Sequence, residues 1–358
     1  MRKLMLTVVA ATMLLAGCGS DNNTASTAST ASSPTAKVAC ATGTLSGAGA
    51  TFPQAIVQQW IKDYQAACPG ATVNYQAVGS GAGIQQFTAG TVDFGASDAA
   101  MKPDEEQAAT AKGGQVLHIP WTAGGIAVFF NVSGLRGLKL SPDAVAGIFA
   151  GTIKKWNDPK IAADNSGTTL PDIAVQVVHR SDGSGTTNVF TSYLTAVAPA
   201  VWTAGAAKDV KWPAGQGAKG SDGVTATVKQ TEGAVGYAEL SYAKGAGLPV
   251  AKIKNPSGAY VEPTPAAVSA ALAKIDVPTD LKIKADFTPD DAAAYPISTP
   301  TWALVFAKPA DGAKATLVRS FLTYVLGAGQ KAAPGLDYAP LPASVLDPAT
   351  AAVKGIAA

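Results

Sequence analysis

Histidine is almost missing from this 358-residue chain: His118 and His179 are the only two. No spaced cluster of His, Asp and Glu suggests a metal site, and the serines in its Gly-Ser-Gly loops lack both the Gly-x-Ser-x-Gly frame and an evident base. Phosphoester hydrolysis, the catalytic reading that such loops invite, is left without its residues. The tract Gly215-Gln216-Gly217-Ala218-Lys219-Gly220-Ser221 looks loosely like a nucleotide loop but misses the required spacing. An excess of charge is lacking too. Lys and Arg number 27 against 25 Asp and Glu, a net charge of +2, so no strong field draws in nucleic acid or a distant anion. An anion site in this chain has to be made locally.

The apolar run from Leu4 to Ala16, after the charged Met1-Arg2-Lys3, is too short to span a bilayer and reads as an export signal over residues 1–17. It ends in Leu15-Ala16-Gly17-Cys18, the setting in which bacterial lipoproteins are acylated before the signal is removed. Cys18 is therefore expected to become a lipidated (palmitate-bearing) N-terminus that holds the protein on the outer face of the cell membrane or in the periplasm. Residues 18–40, nearly all Ser, Thr, Ala and Asn up to about Lys37, cannot bury enough apolar surface to offset their ordering entropy and form a flexible tether. The two cysteines that remain, Cys40 and Cys68, suggest one disulfide in an oxidising compartment, stapling the start of the folded region to the end of its first helix.

The rest is globular in composition, 47% hydrophobic and 15% charged, and too long for one ordinary core, so two domains are expected. Three times a strand runs into a helix through Gly, Ser and Thr. Gly47-Ala48-Gly49-Ala50-Thr51-Phe52-Pro53 precedes Ile56, Val57, Trp60, Ile61 and Tyr64 at helical spacing. Thr51 is placed there as N-cap, Pro53 in the first turn, and Cys68-Pro69-Gly70 as the stop. The alternating strand Thr72–Val78 leads through Gly79-Ser80-Gly81-Ala82-Gly83 into Ile84, Gln85 and Phe87. The strand Val175–Arg180 leads through Ser181-Asp182-Gly183-Ser184-Gly185-Thr186-Thr187 into Val189, Phe190, Tyr193 and Leu194.

Glycines admit an anion close to the backbone, helix N-termini offer unpaired N–H donors, and hydroxyls add directional bonds. The third loop adds a cation, Arg180. Thr91-Val92-Asp93-Phe94-Gly95-Ala96-Ser97-Asp98 ends an apolar strand with a carboxylate, which would repel a fully ionised sulfate but can accept a hydrogen bond from a protonated phosphate. Read locally, Thr51 and Ser80 are also ordinary cap residues, and Asp98 an ordinary turn residue before Met101-Lys102-Pro103.

At these residues the chain resembles the phosphate-binding proteins of bacterial phosphate ABC transporters, in their lipoprotein form. The resemblance extends to Gly151-Thr152-Ile153-Lys154-Lys155-Trp156, Val210-Lys211-Trp212-Pro213 and Gly233-Ala234-Val235-Gly236-Tyr237, and covers nearly all of the mature chain. It implies an α/β, two-lobed periplasmic-binding-protein fold, type II-like, with a two-strand hinge and a ligand cleft between the lobes. Lobe I would take residues 41–120 and 297–358, lobe II residues 121–296. Ile119–Val132 and Tyr295–Phe306 would be the crossings, the latter bent by Tyr295-Pro296-Ile297-Ser298-Thr299-Pro300, where prolines disfavour regular structure.

The resemblance further implies phosphate ligands: a hydroxyl and backbone N–H groups from Thr51 and Phe52, the Ser80 hydroxyl, the Asp98 acceptor, an Arg180 clamp oriented by Asp182, and Ser184, Gly185 and Thr186. Gly81 stands where the family has a second serine, a change expected to matter little, and His179 where some relatives carry another basic residue. The implied partners are inorganic phosphate, the permease subunits of a phosphate ABC transporter, and the membrane through Cys18. No cofactor, metal or nucleic acid is expected, and the protein is expected to be a monomer and not an enzyme. Another tetrahedral oxyanion, sulfate or molybdate, is the closest alternative ligand. An adhesive or structural lipoprotein would explain the anchor but not the loops.

Overall fold

The computed structural model describes residues 39–357, so the export signal, Cys18 and most of the tether lie outside the described residues. The chain opens with β1 (Gly43–Gly49), α1 (Gln54–Ala67), β2 (Ala71–Ala77), α2 (Ser80–Ala89), β3 (Phe94–Ser97) and α3 (Pro103–Gly113). Helix α1 turns Ile56, Val57, Trp60 and Tyr64 inward, the spacing of one apolar stripe. Trp60 packs on Trp121 at 5.6 Å and donates its indole N–H to the Gly329 carbonyl at 2.8 Å.

A 16-residue strand, β4 (Val116–Asn131), follows. Then come β5 (Lys139–Leu140), α4 (Pro142–Phe149), α5 (Pro159–Asp164), β6 (Gln176–Arg180), α6 (Gly185–Val197), β7 (Gln216–Ala218), α7 (Gly220–Gln230), β8 (Ala234–Glu239) and α8 (Leu240–Ala246). The chain finishes with β9 (Lys252–Lys254), β10 (Tyr260–Val261), α9 (Pro265–Leu272), β11 (Ser298–Phe306), α10 (Gly312–Leu326) and α11 (Ala343–Lys354).

One curled sheet runs in the order β2-β1-β3-β11-β4-β8-β6-β7, and a small one in the order β10-β9-β5. Strand β4 joins the two halves of the large sheet. Its first part, Val116–Gly125, pairs antiparallel with β11, and its last part, Ile126–Asn131, pairs antiparallel with β8. Along that last part successive side chains alternate between faces. Ala127 and Phe129 pack with Val224 and Val228 of α7, whereas Ile126, Val128 and Phe130 join the main core. Cover on both faces explains why β4 reads as a continuous apolar run.

The prolines near the second crossing behave differently from the sequence expectation. Only Tyr295–Ile297 is irregular, and Pro300 lies inside β11 opposite Ala123. A proline has no N–H for the ladder, and the register shifts one residue later, between Thr301 and Trp302, so the strand absorbs it beside a bulge.

Cys40 and Cys68 are bonded, their Cα atoms 5.4 Å apart, which ties the entering chain to the C-cap of α1. The bridge closes a loop of 28 residues, so reducing it should cost about 3 to 4 kcal/mol of stability. Denaturant unfolding with and without reductant measures that loss. Anion affinity should stay unchanged, because the bridge lies at the far end of α1 from Thr51.

Candidate functional site

The glycine-rich loops of both halves of the sheet meet at one place. The first is the β1–α1 turn, where the structure corrects the sequence reading of Thr51. Pro53, not Thr51, occupies the N-cap of α1, and the Thr51 carbonyl accepts from Gln54 N–H at 3.1 Å. The hydroxyl is thereby free to face the other half, accepting from Arg180 Nη1 at 3.1 Å and lying 2.8 Å from Ser221 Oγ. Phe52 is fully buried beside it, its carbonyl accepting from Tyr338 at 2.6 Å.

Ser80 opens α2 but does not cap it; Gly79 holds that place at φ +94°. A Cβ on Gly79 would sit 2.3 Å from Asp182 Oδ2, so glycine is required there for approach as well as for conformation. The Ser80 hydroxyl instead accepts from Gly185 N–H at 3.1 Å and Asp98 N–H at 3.3 Å. Gly81 faces the other loop closely: its N–H donates to the Gly183 carbonyl at 2.8 Å, and a serine Cβ would come within 3.2 Å of Gly183 Cα. With serine there, the two facing loops would have to separate by a few tenths of an ångström.

Asp98 follows β3 and is 1% exposed. Thr301 donates to its Oδ1 at 2.9 Å and Thr186 to its Oδ2 at 3.1 Å. Burial raises the Asp98 pKa to about 6, and the two threonine hydroxyls and the Arg180 charge hold it from rising further. From the other half, Arg180 ends β6 at 3% exposed, with Nε 2.7 Å from Asp182 Oδ1 and Nη2 on Oδ2. Burial works against the Asp182 charge, but the guanidinium outweighs it and keeps that carboxyl below its ordinary value. Gly220 N–H, at 2.9 Å, fixes the same Oδ1. Asp182 thus orients the guanidinium through a bidentate pair and leaves Nη1 turned to the Thr51 side.

Ser184 caps α6, accepting from Thr187 N–H at 3.0 Å while its own hydroxyl proton stays available. Gly185 and Thr186 begin the helix against Ser80 and Asp98. All nine residues singled out from the sequence, Thr51, Phe52, Ser80, Asp98, Arg180, Asp182, Ser184, Gly185 and Thr186, therefore gather in one cluster. His179 turns away: its ring stacks on Trp212 at 4.7 Å and its Nδ1 lies 3.0 Å from the Arg180 carbonyl. Half-buried there, it has a pKa lowered by desolvation. His118 lies elsewhere, its Nε2 accepting from Met101 N–H at 3.1 Å. Among the described residues no group of His, Cys, Asp and Glu could hold a metal ion.

Ser221 was not foreseen. It starts α7, approaches both Thr51 Oγ1 and Arg180, and makes a fourth strand–Gly-Ser–helix turn inside the tract that resembled a nucleotide loop. The signal was the Gly220-Ser221 pair itself, obscured because β7 has only three residues. Tyr242, which donates to the Thr51 carbonyl at 2.5 Å, and Thr301 carried no such signal.

Under the cluster, Glu239 ends β8 fully buried, with Oε2 accepting from Ser241 N–H at 2.9 Å and Oε1 without a partner among the described residues. Burial lifts its pKa to about 8, partly offset by Ser241. A folded-state value raised from 4.5 means that its contribution is intact below about pH 4.5 and lost as pH rises through about 8. Glu239→Gln should flatten that part of the profile, visible as a smaller fall in melting temperature than the wild type shows over this window.

Four helix N-termini, a fixed guanidinium, several hydroxyls and one carboxylate make a set that can ring an oxyanion with donors and still accept one proton from it. The model of the PBP superfamily domain matches residues 34–328. Phosphate-binding protein PstS 3 of Mycobacterium leprae (strain TN) is 36% identical over 356 residues, covering 96% of this chain and 95% of the relative. Phosphate-binding protein PstS of Pasteurella multocida (strain Pm70) is 40% identical over 308 residues, 85% of this chain and 88% of the relative. Among solved structures, a high affinity periplasmic phosphate-binding protein (PfluDING) bound with phosphate superposes with a TM-score of 0.72 at 26% identity, covering 86% of this chain and 93% of that one.

Proposed function

We propose that this chain, which belongs to the PBP superfamily and within it to the family of PstS phosphate-binding proteins, captures inorganic phosphate outside the cytoplasm and delivers it to a phosphate ABC transporter in the membrane. It acts as a transport receptor and not an enzyme. No imidazole is directed at Ser80, Ser184 or Ser221, since His179 lies against Trp212 and His118 against Met101.

Phosphate binds among Thr51, Phe52, Ser80, Asp98, Arg180, Ser184, Gly185 and Thr186, with Ser221 as an additional donor and Asp182 orienting the arginine. The observation that carries this reading is that a buried Arg180 and a buried Asp98 share one cluster of hydroxyl and N–H donors. A wholly cationic pocket would take any oxyanion. This one includes an acceptor that favours an anion still carrying a proton, and so disfavours sulfate and molybdate.

Lobe I comprises 41–120 and 297–358 and lobe II 121–296, with β4 and the stretch entering β11 as the hinge. Binding biases closure because the anion is held by loops of both lobes at once. Cys18 carries the lipid anchor, residues 18–40 the tether, and the protein works as a monomer whose closed shape the permease reads. Calorimetric titration of the purified protein, stripped of bound anion, with phosphate and then sulfate tests the reading. Tight one-to-one phosphate binding with negligible sulfate binding is expected; a preference for sulfate, or no heat with either, would overturn it.

A further inference from the structure

We propose that Glu105 and Lys208 form a charged latch across the cleft that holds the closed state and sets how long phosphate stays bound. The inference rests on the receptor reading above and adds two residues outside the anion's own shell. Glu105 lies in the first turn of α3, in the first half of the molecule; Lys208 lies between α6 and β7, in the second. Lys208 Nζ is 2.6 Å from each Glu105 carboxylate oxygen. The two side chains are 9% and 24% exposed, so the pair is largely out of water.

Each partner is wired to the anion site of its own half. The Lys208 carbonyl accepts from Ser184 N–H at 2.8 Å, and Ser184 is the residue that caps α6 and starts the anion loop. Glu105 is held by α3 itself, its Oε2 accepting from Lys102 N–H at 2.8 Å, and α3 begins a few residues after Asp98. The carboxylate is thus positioned before closure, and the ammonium reaches it only when the Ser184 loop comes up to Asp98. A contact made in one of two states shifts the balance toward that state.

Lys282 with Glu106 at 2.6 Å also joins the two halves, but Lys282 lies between α9 and β11, is 26% exposed and makes no bond to an anion loop among the described residues. A further cross-half pair, Lys244 with Asp337 at 2.5 Å, lacks this property as well. Its lysine is 56% exposed, where water and salt screen most of the attraction. Lys208 is nearly desolvated, and losing its carboxylate would leave an uncompensated ammonium in the closed form.

Two variants isolate the charge. Glu105→Gln keeps an oxygen for Lys102 N–H, and Lys208→Met keeps the aliphatic stem and the backbone bond to Ser184. In stopped-flow measurements on the full chain each should release phosphate about ten-fold faster, with capture little changed and Kd raised in proportion. The double variant should be no worse than the worse single one, and exchanging the charges (Glu105→Lys with Lys208→Glu) should recover part of the loss. Unchanged release in both singles, or fully additive losses in the double, would sink the latch. The distance between spin labels placed on the two halves reads the same device without regard to the ligand. Glu105→Gln should lengthen it in the anion-free protein, and identical distributions would overturn the proposal even if the wild type bound no phosphate, a result that would separately refute the receptor reading.

Discussion

Arg180→Ala should weaken phosphate binding by about 2 to 5 kcal/mol, roughly thirty-fold to several thousand-fold in Kd. The guanidinium is 3% exposed, its Nε and Nη2 are spent on Asp182, and Nη1 remains for the Thr51 side of the cluster. Removing it takes away the one cation of the cluster and also strips Asp182 of its partner, so a second negative charge is left facing the anion. Arg180→Lys should fall between wild type and alanine, because an ammonium restores the charge but cannot bridge both Asp182 oxygens. Calorimetric titration checks the series, and near-wild-type affinity in the alanine variant would place Arg180 outside the site.

Asp98→Asn should narrow the preference for phosphate over sulfate, by as much as about 10⁴-fold if the carboxylate is the whole filter. The variant presents an amide whose N–H groups suit a fully ionised oxyanion, so sulfate should gain while phosphate loses an acceptor for its proton. The wild type should show the same narrowing as pH falls below about 6, where Asp98 itself takes up a proton. Stability moves oppositely. A carboxyl raised from 3.8 to about 6 in the folded state contributes fully below about pH 3.8 and loses that contribution as pH rises through about 6. Asp98→Asn should therefore stabilise the anion-free protein near neutral pH, by up to about 3 kcal/mol. An unchanged phosphate-to-sulfate ratio would remove Asp98 from the specificity argument.

The loops were legible because their signals are local. Gly79, Gly185 and Ser184 sit where a strand stops and a helix starts, and short-range chemistry marks such places whatever the rest of the fold does. Cys40 and Cys68 were legible by counting. What stayed hidden comes from far along the chain: Thr301 reaches Asp98 across 203 residues, and Tyr338 reaches Phe52 across 286. Nothing in the periodicity of a strand names its neighbour, so the position of β11 between β3 and β4 could not be read from its residues. Thr51 was misassigned for a related reason. A threonine before a helix looks like a cap, and only the facing loop with Arg180 and Ser221 gives its hydroxyl a competing partner.

The insertion of β11 also sets an order of events during synthesis. Strands β1, β2 and β3 are made first, but β3 obtains its second neighbour only when Trp302, Ala303 and Leu304 appear some two hundred residues later. Strand β4 waits likewise for the stretch Ser298–Phe306, although β8 reaches its other end sooner. A nascent chain emerging N-terminus first therefore carries an incomplete sheet edge for most of its elongation, the kind of long-range closure that folds slowly and exposes unpaired strands to misassociation. The half that is started first is finished last, and a chain that stops short of β11 loses the centre of its sheet, not an appendage.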